Sequence, residues 1–473
     1  MNDVGLALIP LLALVGSVIL TASLFSGIVE RTGFPQVAFF LILGLLLGPH
    51  AAGIIDLPLH SPTLEVIATL ALALVLFTDA VSLDIGAMRR SVRIAAIVLG
   101  PGTIVTALIN TIAARFLLDW SWPASAIVGA ALASTDPVLL RSVLRHPKLP
   151  RHVRSALRIE SGMNDAVLLP VIALAIIAMG PVTTSEVARR MTGLFLLGPA
   201  LGVLCGWLAI RLLMIVRTRW SVRRDYESLY ALGIALTAFP LAEAVGGSGF
   251  LAAFAAGLII AFMDVELCDC FHDYGEATAE MLLLLTFVAF GASLIWTGLD
   301  TLGIGTGIFV VVTLTSRALV LVPSLAGTQM SRSERRLLTL LGPRGLSSLL
   351  LVMLAVINRV EGSDQMFAVT SLAVLASLLV HGSGILWLTQ TQFGNPAERQ
   401  DASEAGAGVT ISRLEEWSAS GHPYVLVDAR AHRSWENDPR MADDAVRLNP
   451  DEPVRSAREL GLSQHASLVV YCA

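Results

Sequence analysis

The sequence predicts an all-α membrane protein of thirteen transmembrane helices in two inverted repeats, followed by a partial α/β tail. Three observations predict it. Apolar residues make up 55% of the chain and charged residues only 15%, against about 25% charge in soluble domains. The mean hydropathy is +0.73. Apolar runs of about 20 residues, the length a spanning helix needs, recur along the chain. Together these exclude a cytoplasmic globular protein and a disordered chain. The net charge of −5 excludes a strongly basic nucleic-acid binder. Cys205, Cys268, Cys270 and Cys472 are too few and too scattered for a disulfide framework.

The spans lie near 4–26, 34–54, 63–82, 93–116, 123–142, 154–179, 191–216, 227–245, 247–264, 279–297, 303–326, 335–357 and 366–389. No basic segment precedes the first run and no A-x-A-like cleavage site clearly follows it, so it reads as a retained span. Only Gly246 and its neighbours separate the eighth from the ninth. Basic residues fix the orientation. With the N-terminus outside, the inside loops hold Arg31, Arg89–Arg93, Arg141–Arg154, Arg217–Arg224 and Arg332–Arg336. The outside loops hold only Arg115, Arg189, Arg190 and Arg359. The inside loop 265–277 is acidic, which barely affects orientation. The expected organisation is a transmembrane domain over 1–390, a flexible linker over 391–408 and a cytoplasmic module over 409–473.

A carboxylate at mid-bilayer costs about 2.5–3.5 kcal/mol on insertion scales, so an ionisable residue there is a functional candidate. The fifth span contains Ser134-Thr135-Asp136-Pro137, and the sixth Glu160-Ser161-Gly162-Met163-Asn164-Asp165. The eleventh contains Arg317, and the twelfth Gly342-Pro343-Arg344-Gly345. On a helix, Glu160 shares a face with Asn164, and Ser161 with Asp165. Carboxylate, hydroxyl and amide oxygens are hard donors, suited to a small hard cation. The fifth and twelfth spans are both interrupted by Pro or Gly beside a charge. They occupy equivalent positions if the two inverted repeats are joined by the seventh span. Interrupted helices at matching positions point to a transporter's ion site. At crossing half-helices Asp136 would neutralise positive helix ends and Arg344 negative ones.

These motifs, with Gly44-Leu-Leu-Leu-Gly48-Pro49, Leu76-Phe77, Arg89-Arg90 and the run Gly247-Ser248-Gly249-Phe250-Leu251, resemble the cation/proton antiporters. The matching branch is that of the electroneutral, NhaP-like sodium/proton exchangers. The resemblance covers roughly residues 5–390, and the Asn164-Asp165 pair is its most informative feature; the electrogenic branch has two adjacent aspartates there. It implies an elevator-type homodimer, with spans 4–6 and 11–13 as mobile core and the rest as dimer scaffold. It also implies a multi-pass protein of the cell (inner) membrane with no cofactor, carrying Na+ (or Li+, K+) and H+.

By resemblance, Asp165 binds either proton or cation, and Thr135 offers its backbone carbonyl. Asp136, Glu160 and Ser161 are further coordinating or near-site groups, and Asn164 orients Glu160. Na+ would be held by Asp165, Asp136, Ser161 and Thr135. Arg317 and Arg344 match two family arginines; Glu160 is expected to pair with one, and the sequence leaves open which. Pro343, where the family often has Leu, is a departure at the helix break. If one proton leaves Asp165 for each monovalent cation bound, the loaded site carries the same charge either way and exchange is electroneutral. Coupling follows if the empty, doubly charged site is too costly to move through the bilayer.

Other polar residues read more plainly. Glu243 is expected in a water-facing funnel, Asp79 and Glu65 in solvent near span ends, and His381 hydrogen-bonded in the core. Cys268, Cys270 and His272 lack a standard zinc spacing and read as part of an exposed acidic loop. Residues 409–473 resemble the first half of a rhodanese-like domain: a helix at 412–420, a strand at Tyr424–Asp428 with Ala429-Arg430, Glu436, and a strand at Ser467–Tyr471 followed by Cys472. Cys472 matches that family's sulfur-carrying cysteine, but the loop of backbone donors that would activate it lies beyond Ala473. A truncated or regulatory tail is therefore expected, and sulfur transfer is doubtful. The leading expectation is a Na+/H+ antiporter. The rivals are a potassium/proton antiporter of the same fold, a channel-like or sensory membrane protein in which the acids gate without coupling, a membrane regulatory protein with a rhodanese-like sensor tail, and a membrane-anchored sulfurtransferase.

Overall fold

The computed structural model describes residues 12, 15–22, 24, 36–49, 51–83, 85–90, 92–146, 149–180, 183–220, 224–263, 265–292, 294–328, 330–391, 411–420, 424–430, 435, 440–442, 444–448, 453–462 and 467–471. The chain divides into two compact units, Met1–Phe393 and Gly394–Ala473. In the first, the regular elements among the described residues are all helical. Its elements are α1 (Gln36–Leu47), α2 (Pro62–Val81), α3 (Val92–Leu117), α4 (Trp122–Ala131), α5 (Pro137–Arg145), α6 (Arg151–Met179) and α7 (Thr184–Arg219). They continue with α8 (Arg224–Ala244), α9 (Gly249–Met263), α10 (Val265–Ala292), a 3-10 turn (Leu294–Thr301), α11 (Ile304–Ser324), α12 (Arg332–Leu340), α13 (Leu346–Ile357) and α14 (Ser363–Thr391). Among the described residues six helices are long and apolar enough to cross a membrane, or seven if the bent pair at 278–301 counts as one. The other predicted spans fall on shorter apolar helices (α1, α4, α9, α13), on the more polar α8, and on residues 4–26, which are only partly described.

Local chemistry sets most helix starts. Ser61, Ser121 and Asp136 each accept a backbone N–H at the head of α2, α4 and α5, with a proline in the first turn. Ser331 and Glu334 form a reciprocal capping box on α12. Gly246 separates α8 from α9; its φ of +79° is a left-handed turn that suits glycine. The predicted acidic loop 265–277 is instead the first half of α10, a correction to the sequence reading. Helical periodicity there is masked by its acids, and the apolar second half of α10 carries the helix through. The side chains of Cys268, Cys270 and His272 lie outside the described residues. Among those described, no group of His, Cys, Asp or Glu could hold a metal ion.

Packing relies on small residues, as it does where lipid leaves no hydrophobic drive between helices. Gly202 of α7 lies so close to α9 that a Cβ there would stand 2.7 Å from the Ala252 Cα, and Gly44 of α1 abuts Gly291 of α10. The outward side of α7 is apolar, with Leu204, Trp207, Leu208, Leu212 and Ile215 all exposed. Such a surface is favourable against hydrocarbon or another protein surface and not against water. One face of α2 packs on α9, and other parts of it meet α6 and α13. That position brings α2 to the site.

The second unit contains α15 (Ile411–Ser420), β1 (Tyr424–Asp428), β2 (Val446–Arg447), α16 (Pro453–Glu459) and β3 (Ser467–Tyr471). The strands form a parallel sheet in the order β2-β1-β3, with Val427 opposite both Val446 and Val470. Asp428 is fully buried and bonded to Arg430 at 2.7 Å. The Arg430 guanidinium holds its carboxyl below the usual carboxylate range, more strongly than burial raises it. Cys472 and Glu436 lie outside the described residues.

Candidate functional site

Two helix breaks cross at the centre of the first unit. Residues 132–136 separate α4 from α5, and residues 341–345 separate α12 from α13. The crossing is a direct backbone contact, in which the Asp136 N–H donates to the Pro343 carbonyl at 3.0 Å. A broken helix exposes unpaired carbonyls at one half's end and unpaired amides at the other's start. Three side chains satisfy many of them. Asp136 Oδ1 accepts the Val138 amide at 2.8 Å, and its Oδ2 accepts the Leu346 amide at 2.6 Å. One carboxylate thus caps the positive ends of both α5 and α13. Arg344 Nη1 donates to the carbonyls of Ala133 (2.8 Å) and Ser134 (3.0 Å), covering the end of α4. Arg317 Nη1 donates to Leu338 (2.7 Å) and Thr339 (2.8 Å) at the end of α12. The expected division of labour between Asp136 and Arg344 is present, with the arginine capping the opposite break.

The Gly-Pro-Arg-Gly string acquires a steric reason here. A Cβ on Gly342 would come within 2.6 Å of Arg317 Cδ, and one on Gly345 within 2.7 Å of Asp136 Cγ. Gly345→Ala is therefore expected to push Asp136 off both caps and lower stability by about 1–3 kcal/mol, the usual cost of overpacking. Thermal unfolding in detergent checks this; an unchanged midpoint would contradict the close approach.

The polar stretch of α6 meets these breaks. Glu160 is held bidentately by Arg317, Nε to Oε1 at 2.7 Å and Nη2 to Oε2 at 2.6 Å. The structure thereby chooses Arg317 over Arg344 as its partner. Asn164 does not orient Glu160, as the resemblance implied. Its amide donates to Thr135, at 2.9 Å to Oγ1 and 3.3 Å to the carbonyl. Arg317 already fills both Glu160 oxygens, and the break at Thr135 needs a donor. Asp165 Oδ1 accepts a short hydrogen bond from Ser134, while its Oδ2 has no partner among the described residues. Ser161 donates to its own helix, to the Leu157 carbonyl at 2.9 Å. Thr135, Asp136, Glu160, Ser161, Asn164, Asp165, Arg317 and Arg344 are all buried, none more than 5% exposed.

A cavity of about 210 Å³ opens beside the crossing, with Asp136, Ser161 and Ser347 in its wall but not Asp165, Thr135 or Glu160. An ion pair between Arg141 of α5 and Glu280 of α10 stands in the same wall. Three contributors were missed in sequence. Ser134 sits inside a quoted motif, but its bond to Asp165 joins residues 31 apart on different helices. Ser347 is one polar residue in an apolar run. Asp79, expected in solvent, faces this cavity instead. Glu243 is exposed and lines a second cavity, in line with expectation, and it also accepts the Gly249 amide at 2.8 Å and so caps α9. His381 is hydrogen-bonded to Ser377 at 3.0 Å, in line with expectation.

A bundle of apolar helices, interrupted at two crossing breaks that hold buried carboxylates, is the architecture of a membrane transporter and not of an enzyme. The sequence profile of the transmembrane sodium/hydrogen exchanger family matches residues 18–391, and the chain belongs to that family. It is 27% identical over 381 residues to the K(+)/H(+) antiporter NhaP2 of Shewanella sp. strain ANA-3, covering 79% of this chain and 65% of that protein. It is 25% identical over 198 residues to the Na(+)/H(+) antiporter NhaS2 of Synechocystis, covering 41% of this chain and 36% of that one. The chain thus spans just under two thirds of the length of the NhaP2 relatives it matches. Its fold is similar to that of the sodium proton antiporter MjNhaP1 of Methanocaldococcus jannaschii, with a TM-score of 0.65 at 20% identity, covering 80% of this chain and 98% of that one.

Proposed function

We propose that this chain is a secondary antiporter exchanging a monovalent cation, Na+ in the first instance, for H+, with Asp165 as the group both ions share. One observation carries the reading. Of the three acids at the crossing, only Asp165 is held by neither an arginine nor a helix amide: the Ser134 hydroxyl donates to its Oδ1, the Ser347 hydroxyl stands close by, and its Oδ2 meets no hydrogen-bond partner of good geometry among the described residues. Both oxygens of Glu160 are taken by Arg317, and both of Asp136 by helix amides. A buried carboxylate without a cationic partner is costly as an anion, so it binds either a proton or a cation. The Thr135 carbonyl, the Asn164 amide oxygen and the Ser161 hydroxyl are hard donors nearby, suited to an alkali cation. Asp136, with its lone pairs committed to two helix ends, holds the break open and shapes the cation's surroundings. Glu160 and Arg317 supply a fixed, neutral pair.

Exchange of one proton for one monovalent cation leaves the loaded site's charge unchanged, and that supports electroneutral transport. The resemblance noted above supports an elevator-type homodimer in the inner membrane, and the asymmetry of basic residues supports an N-terminus outside and a tail inside. A second reading, K+/H+ exchange, is favoured by the NhaP2 relatives named as K(+)/H(+) antiporters. Everted vesicles loaded with a pH-sensitive dye decide the matter. Dequenching by Na+ and Li+ but not K+ is the expected result, dequenching by K+ supports the second reading, and none with any cation refutes antiport. Sensitivity of the rate to a valinomycin-clamped voltage would contradict electroneutrality.

A further inference from the structure

The two crossed breaks are tied together through Arg344, and the far end of that tie has no part in the exchange reading. Ser377 and His381 stand one turn apart on α14, on one face of the helix. The Arg344 backbone N–H donates to Ser377 Oγ at 2.7 Å, and Ser377 Oγ lies 3.0 Å from His381 Nδ1. Ser377 is fully buried, whereas His381 is half-buried.

Donor counting fixes the direction of both bonds. A backbone N–H can only donate, so the Ser377 oxygen accepts from Arg344. A serine hydroxyl carries a single proton. Among the described residues, the His381 ring is what can take it. A buried hydroxyl without an acceptor is costly. Nδ1 therefore accepts, and the ring carries its proton on Nε2. Imidazole, hydroxyl and amide form one directed chain.

The chain continues into the ion site. Between α12 and α13 the main chain leaves the helix, so no helical ladder fixes Arg344. The bond to Ser377 takes over that work. At its other end Arg344, 1% exposed, donates through Nη1 to the carbonyls of Ala133 and Ser134 in the first break. The Ser134 hydroxyl in turn donates to Asp165 Oδ1. A shift of the Arg344 main chain is thus passed to the residue that meets the exchanging acid.

We infer that His381 is a positioning residue for exchange: through Ser377 it fixes the main chain of Arg344, and through Arg344 the Ser134 hydroxyl that meets Asp165. This rests on the antiport reading above and deepens it. His381 acts at a distance from both ions and sets how tightly the site takes up the cation.

Purified full-length protein in proteoliposomes, titrated with NaCl, LiCl and KCl, tests it. His381→Leu removes the acceptor and is expected to raise the half-saturating cation concentration about fivefold, the factor that one hydrogen bond commands. A merely structural role would reduce the number of working molecules, and so the maximal rate alone. His381→Asn puts an oxygen where Nδ1 stood, and is expected to return half-saturation to within about twofold of wild type. Ser377→Ala is expected to raise it at least as far as His381→Leu. The double variant should be no worse than Ser377→Ala, because both substitutions cut one chain. An unchanged half-saturation in His381→Leu overturns the inference. So does an asparagine variant as impaired as the leucine one, or a double variant in which the two effects multiply. Should His381→Leu fail to fold, Ser377→Ala serves in its place: a rise supports the chain and no rise overturns it. Nitrogen NMR of histidine-labelled protein, with the signal assigned by its loss in His381→Asn, checks the tautomer, and a ring protonated on Nδ1 at neutral pH also overturns it. Wild-type exchange with unaltered variants sinks only this inference, whereas wild-type protein inert to all three cations sinks antiport as well.

Discussion

Asp165→Asn is expected to reduce cation-dependent proton flux to the level of empty vesicles while the protein stays folded. Asparagine keeps the size of the side chain and an oxygen for Ser134, whose hydroxyl donates to Asp165 Oδ1. It cannot carry a proton on that oxygen or a negative charge to a cation. The substitution also removes a buried charge with no cationic partner among the described residues, so the folded state gains where function is lost. The expected pattern is an inactive protein with an unfolding midpoint at or above that of wild type. Retained exchange would remove Asp165 from its role, whatever the other acids do. Loss of exchange together with a large fall in stability would instead point to a structural carboxylate.

Arg317→Ala is expected to give the opposite pattern, in which stability goes first. Arg317 and Glu160 are each 2% exposed and joined by two hydrogen bonds. Truncating one partner of such a pair leaves an uncompensated buried charge and costs about 3–5 kcal/mol. The same truncation strips the donor from the Leu338 and Thr339 carbonyls at the end of α12. A steep loss of folded protein, read by size-exclusion yield and thermal unfolding, is the expected result. The double variant Glu160→Gln/Arg317→Met should recover part of the loss, because it no longer buries a lone carboxylate. It should not recover all of it, because α12 stays uncapped. A single variant as stable as wild type would mean that the pair is solvated in the protein at work.

Arg344 shows why such effects cannot be assigned residue by residue from sequence. It sits in the second break, yet its guanidinium serves carbonyls of the first, at Ala133 and Ser134. Its sign and its place between Pro343 and Gly345 were legible, because helix breakers and mid-membrane charges are local signals. Its choice of carbonyl was not, because the contact spans 211 residues. The same holds for Glu160, whose pairing with an arginine was expected but whose partner was decided by how α11 lies against α6. Asn164 is the instructive miss. Helical spacing puts it on the face of Glu160, but a neighbouring break offered unpaired groups at Thr135, and a buried amide bonds where the need is. Asp79 is a miss of another kind. Its position near a helix end suggested solvent, while the packing of α2 against α6 through Gly162 turned it toward the cavity.

The chain by itself determined the apolar helices, the two places where Pro and Gly interrupt them, and the presence of acids and arginines where hydrocarbon forbids idle charge. Those follow from composition and from backbone chemistry that acts within a few residues. The fold alone decided which charge meets which. Crossing the two breaks consumes Asp136, Arg317, Arg344 and Glu160 in satisfying helix ends and one another, and it leaves Asp165 with an oxygen to spare. That remainder exists only after distant segments are packed, since every competing donor and acceptor must be placed before one can be seen to be left over.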